Sequence, residues 1–168
     1  ATIEMDGATQ IYTSNNMTLF NCMVQRKQGT TINHKGVIID QVDPITPTVN
    51  INNSSFVYGS TGLKIRMTNS QSVTLTNNVF NNCQTGLFTE GLSSTVISNT
   101  MTNCDIGWQI QNPIGSTLGK NLFINNGSVG ILVNNQNTNV AKIESSNIVN
   151  TSTGIHVSQG ELIAKCIN

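Results

Sequence analysis

The chain has 168 residues, enough for one domain with a real core. Eight acids balance eight bases, and only 10% of residues are charged. That balance argues against a nucleic-acid or membrane-surface partner, and no apolar run approaches the length of a membrane span.

Asparagine and threonine dominate the composition, with 25 and 21 residues against a single Trp. Such polarity can signal disorder. Here the Val, Ile, Leu and Phe residues recur too regularly for that.

In chain order, residues 1–16 read as a possible partial N-terminal cap, and Met17 to Val24 as an early coil. From Gly36 onward a repeat is plain. Gly36 opens GVIID, Gly62 GLKIR, Gly86 GLFTE, Gly107 GWQIQ, Gly130 GILVN and Gly154 GIHVS. The spacings are 26, 24, 21, 23 and 24 residues. Each glycine precedes an alternating strand, and it marks a bend or a close backbone approach. Val37, Leu63, Leu87, Trp108, Ile131 and Ile155 form one inward column. Ile39, Ile65, Thr89, Ile110, Val133 and Val157 form a second, apolar except for Thr89. Alternation sends the residues between them to the opposite face.

A second strand set lies before each glycine. Its inward positions are Phe56, Phe80, Met101, Phe123 and Ile148. Ile51, Leu75, Val96, Leu118 and Ile143 stand five residues earlier. Ser54, Asn78, Asn99, Asn121 and Ser146 form a polar turn column between them. Asn tolerates left-handed turns, and stacked Asn side chains can pass hydrogen bonds from coil to coil. One such coil cannot bury its own apolar face, so the coils must stack about 4.8 Å apart. The expected fold is all-β: a right-handed parallel β-helix solenoid of about seven coils of roughly 21–26 residues, forming one domain. A chain ending at Lys165-Cys166-Ile167-Asn168 stops partway through a coil, which reads as an uncapped C-terminal end. An antiparallel sandwich is the weaker alternative, because it would not produce in-register columns.

At these coils the chain resembles the pectate-lyase-like superfamily of right-handed parallel β-helices. The resemblance rests on the GLxI and VTLTNNVFNN coils and the asparagine column, over about residues 17–168. It implies a flat outward face that meets glycans. The Asn-rich style is similar to phage tailspike or bacterial surface β-helices, which places the protein outside the cell or on a virion. None of the superfamily's lyase motifs or tandem Asp motifs is present, which puts enzymatic activity in doubt.

Sugar-cleaving enzymes use paired carboxylates. Asp40 and Glu90 share an outward column two coils apart, about 9.6 Å by stacking. That lies near the upper limit for an inverting pair. Arg66 falls between them, so a surface Asp–Arg–Glu ladder is the competing reading. Asp105 is a third outward acid, and Asp43 sits in the DPITP turn. The neighbouring column Ile38, Lys64, Phe88, Gln109, Leu132 and His156 is part apolar, and reads as a substrate or partner surface unless a flanking loop covers it. In a tailspike-like assembly this face would pack three chains about an axis. End-to-end stacking into a filament is the other homo-oligomeric arrangement. His34 lies in a loop, NHKG.

Nothing in the pattern calls for a cofactor or a metal, since the acids are scattered and no CxxC pair occurs. Cys83 and Cys104 occupy equivalent positions on adjacent coils, as buried free thiols or within disulfide reach. Cys22 and Cys166 lie too far apart to pair within one chain.

Overall fold

The structure, a computed structural model, describes residues 1–7, 9–14, 16–41, 49–68 and 72–168. Asp43 lies outside them. The described residues form a parallel β-solenoid with three strands per coil. The first sheet stacks β1 (Thr2–Met5), β4 (Met23–Arg26), β7 (Ser55–Val57), β10 (Val79–Asn81), β13 (Thr100–Thr102), β16 (Phe123–Asn125) and the end of β18 (Ala141–Val149). The second stacks β2 (Gln10–Thr13), β5 (Gly36–Gln41), β8 (Thr61–Met67), β11 (Thr85–Glu90), β14 (Ile106–Gln111), β17 (Val129–Asn134) and β19 (Thr153–Gln159). The third stacks β3 (Met17–Phe20), β6 (Val49–Asn52), β9 (Ser72–Thr76), β12 (Ser93–Ile97), β15 (Thr117–Lys120), the start of β18, and β20 (Leu162–Ile167). The second sheet is seven strands deep, which makes about six full coil-to-coil turns where about seven coils were expected.

The glycine column marks close approach. A Cβ on Gly62, Gly86, Gly107 or Gly130 would come within 2.7 Å of the carbonyl oxygen of the glycine on the next coil. Only Gly36 among them also has a positive φ, 104°.

The core is the inside of the tube. Leu63, Leu87, Trp108 and Ile131 are fully buried, as are Ile39, Ile65 and Val133 beside them. The exception in that second column, Thr89, has a reason: its Oγ1 accepts the indole N–H of Trp108 at 3.1 Å. A buried indole without a partner would lose a hydrogen bond to water with nothing in return. Phe56 and Phe80 stack with ring centroids 5.1 Å apart.

The corner between the third and first sheets carries two adjacent columns. Asn21, Asn53, Asn77, Ser98, Asn121, Ser145 and Cys166 all have φ between 47° and 54° or close to it, the left-handed conformation that Asn tolerates best. The next residues point inward. Asn99 Oδ1 accepts from the Asn78 backbone N–H at 2.8 Å, and Asn78 Oδ1 accepts from Ser54 N–H at 3.0 Å. The amide groups of Asn78 and Asn99 donate to Ile51 and Leu75 carbonyls, both at 2.9 Å. This buried ladder satisfies backbone groups that the turn removes from the sheets.

Three expected positions are corrected between β15 and β16. Phe123 is 40% exposed, and Ile124 takes the inward place, paired with Met101 and Ile148. Gly119 instead of Leu118 aligns with Val96 and Ile143. Leu122 instead of Asn121 occupies the ladder column, where its N–H donates to Ser146 Oγ. All three are the same slip of one residue, which reverses every side chain it touches.

Candidate functional site

The second sheet's outward face is the place where the sequence-predicted residues meet. Parallel pairing joins Ile38 to Lys64, Lys64 to Phe88, Phe88 to Gln109, Gln109 to Leu132, and Leu132 to His156. Tyr12 extends the column beyond Ile38 and was not anticipated, because β2 lies before the first recurring glycine. Tyr12 is 54% exposed, and Ile38 to Leu132 are half-buried. The Lys64 ammonium lies 4.8 Å from the centre of the Phe88 ring. That contact holds the cation over the ring's negative face.

The neighbouring column runs Asp40, Arg66, Glu90, Gln111, Asn134. Arg66 binds Asp40 with both prongs: Nε donates to Oδ1 at 2.7 Å and Nη2 to Oδ2 at 2.5 Å. The carboxylate raises the Arg66 guanidinium pKa further, chiefly through these hydrogen bonds. Glu90 Oε1 accepts from Gln111 Nε2 at 3.3 Å. Arg66 therefore stands between the two acids, with both Asp40 oxygens engaged. Asp105 does not join them. It is exposed in the turn before β14, six residues from the Gln111 level and roughly 20 Å away along the strand.

The histidines divide. His156 is exposed on the last strand of the column. His34 is fully buried, and its Nε2–H donates to the Val57 carbonyl at 3.0 Å, which leaves Nδ1 buried without a partner. Burial lowers its pKa, and the positive charge of Arg26 adds to that, against the opposing effect of the Val57 bond.

Cys83 and Cys104 are buried free thiols on neighbouring coils, while Cys22 is partly buried and Cys166 exposed. The Cys83 thiol donates to the Phe56 and Asn81 carbonyls, both at 3.6 Å, and the neighbouring Cys104 thiol together with burial pushes Cys83 far above an ordinary thiol, while the same neighbour lowers Cys104. Among the described residues, no three of His, Cys, Asp and Glu gather as a metal site, and no helix is long and apolar enough to cross a membrane.

Sequence reasoning also missed a groove beside the corner loop of residues 27–35, lined by Arg26, Lys27 and Tyr58 among others. The loop precedes the glycine series and follows no period, so only the excess length between β4 and β5 signals it.

No curated protein and no solved structure matches the chain. A family model described as "right handed beta helix region" matches residues 3–164. With a parallel solenoid over the same span, the chain belongs to the right-handed β-helix family.

Proposed function

We propose that the protein is a glycan-engaging β-helix of the tailspike or surface-adhesin type, acting outside a cell or on a virion, with the second sheet's outward face as its binding surface. The observation that carries this reading is the pairing of two unlike columns on one flat face. Tyr12, Ile38, Phe88 and Leu132 offer apolar surface, with Lys64 seated on Phe88. Beside them Arg66, Glu90, Gln111 and Asn134 offer hydrogen-bonding groups at each coil step. Sugars present apolar C–H faces and hydroxyl edges together, and a surface with both kinds of contact suits them. The bidentate Asp40–Arg66 pair supports binding over catalysis, since a general acid or nucleophile needs a carboxylate free to reach the substrate.

Binding to a panel of bacterial polysaccharides, measured for the native protein and for Phe88→Ala, tests the proposal. Saturable binding that Phe88→Ala weakens is expected. Binding by none of the panel sinks it.

A second reading, a self-associating structural β-helix forming a trimer or filament, draws on exposed apolar residues. Tyr12 and Phe20 are 54% and 59% exposed, on the second and third sheets. Sedimentation velocity across a range of concentrations separates the readings: a glycan-binding monomer removes this one.

A further inference from the structure

Five of the six corners that lead from β4, β7, β10, β13, β16 and β18 into the second sheet span three residues. The corner between β4 and β5 spans nine, residues 27–35. An insertion into one coil of a solenoid forms a loop on one face, often the binding face. This one ends at Gly36, where the strand bearing Ile38 and Asp40 begins, so it borders the proposed glycan surface.

The loop is braced from below. Arg26 Nη1 donates to the Thr31 carbonyl at 3.1 Å and to Asn33 Oδ1 at 3.2 Å. The same guanidinium sits 4.5 Å from the centre of the Tyr58 ring. Tyr58 is the residue next to Val57, which pairs with Gln25, so Arg26 and Tyr58 are neighbours in one corner column. Tyr58 also breaks the column's rule. It has φ 62°, where Asn82, Asn103 and Asn150 hold the same turn at 52–55°. A bulky side chain in the left-handed region is strained, and such strain collects at functional sites. Folding alone would favour Asn here.

Between brace and sheet lies a groove of about 340 Å³, lined by Glu4, Gln25, Arg26, Lys27, Thr30 and Tyr58 among others. Its charge is not balanced. Among the described residues, neither Arg26 nor Lys27 has an ion-pair partner, and Arg26 Nε and Nη2 make no hydrogen bond. Among the described residues that line the groove Glu4 is the one acid, and its Oε1 already accepts from Gln25 Nε2 at 3.1 Å. Asp6 lines the cavity on the loop's other flank, where it accepts from Thr9 Oγ1.

The geometry points to this groove as a subsite for an anionic substituent, carboxylate or sulfate, on a bound glycan. The free edge of the Arg26 fork and the Lys27 ammonium take the anion. Tyr58, Gln25 and Thr30 border the sugar that carries it. The assignment rests on the glycan-binding reading and deepens it.

Calorimetric titration with uronate oligosaccharides, sulfated oligosaccharides, and their carboxyl-reduced or desulfated counterparts tests the inference on the full chain. At least one charged ligand should bind, and removing its charge should weaken it roughly tenfold or more. Whether uronate or sulfate survives identifies the anion. Lys27→Gln and Tyr58→Asn should each weaken the charged ligand by a similar factor. Tyr58→Asn should melt no lower than the native protein, since it restores the residue of the other coils, and this separates ligand loss from unfolding. Equal binding of charged and neutral ligands overturns the inference. Binding lost in Phe88→Ala but untouched in Lys27→Gln and Tyr58→Asn also overturns it and leaves the sheet surface standing. The opposite pattern supports the groove and removes the sheet surface. No binding by any of these ligands overturns both.

Discussion

The indole of Trp108 occupies the volume that a side chain at Gly119 would need. A Cβ on Gly119 would lie 2.8 Å from Trp108 Cζ3, 2.8 Å from Ile143 Cδ1 and 3.0 Å from Leu122 Cδ1. The two residues sit on the second and third sheets of one coil, facing each other across the tube. Trp108, with Ile143 and Leu122, thus accounts for a glycine at the level where Ile51, Leu75 and Val96 stand on earlier coils. Gly119→Ala should destabilise the fold by about 1–3 kcal/mol through overpacking. The cost should shrink markedly when Trp108 is also replaced by Leu. Urea unfolding of the two single variants and the double variant measures this coupling, and additive effects would contradict it.

The same pair shows where sequence reading stopped. The glycine period and the alternating strands were legible because parallel stacking puts equivalent residues in register, and every residue of the Ile38–His156 column was placed from spacing alone. Between β15 and β16 the pattern misleads, because Phe123 and Leu118 look like core residues while Gly119 does not. Only the tube's cross-section, already filled by Trp108, decides between those two registers. Side-chain contacts such as Lys64 on Phe88 follow from rotamers, which spacing does not fix. The 27–35 loop has no period at all, and its groove emerges only when Arg26, at the end of β4, meets Tyr58 from the next coil.

Asn99 ties two coil levels together through three hydrogen bonds, so its removal should cost more than one hydrogen bond. Its Oδ1 serves the Asn78 N–H, and its amide serves the Leu75 and Ile97 carbonyls. Asn99→Ala leaves a buried N–H unsatisfied, worth about 1–3 kcal/mol, and opens a cavity as well. Hydrogen exchange should report the loss first at the Asn78 amide. Unchanged protection there would mean the ladder is incidental to the corner.

The four thiols should differ in reactivity in the folded protein. Cys166 is exposed and should react with a disulfide reagent quickly, with Cys22 slower. Cys83 and Cys104 should react only on unfolding, because both are buried and Cys83 is held as the neutral thiol by the neighbouring Cys104 and by burial. Counting released thiolate against time, with and without denaturant, checks this. Rapid modification of all four in the native state would show that the coils open readily.

The Asp40–Arg66 pair should contribute little to stability despite its bidentate geometry. The Arg66 side chain is 41% exposed, so solvent screens the charges. Asp40→Asn should cost less than about 1 kcal/mol, and less still at high salt. A large loss of glycan binding with that small loss of stability would mark the pair as positioning Arg66 for a ligand.

His34 should make the fold sensitive to mild acid. In the folded chain burial holds its pKa below 6.5, while the unfolded chain regains about that value. A proton taken up by Nδ1 would find no hydrogen-bond acceptor, and Arg26 nearby opposes a second positive charge. The unfolded state therefore binds the proton first, and stability falls as pH drops through about 6.5. The fall levels off once the pH passes below the folded pKa. Above that window the imidazole is neutral in both states and contributes no slope. Urea midpoints between about pH 7.5 and pH 5 should decline in the native protein. The decline should be reduced in His34→Gln and retained in His156→Gln, whose histidine is exposed. Acid sensitivity that survives His34→Gln in full would assign it to the carboxylates instead.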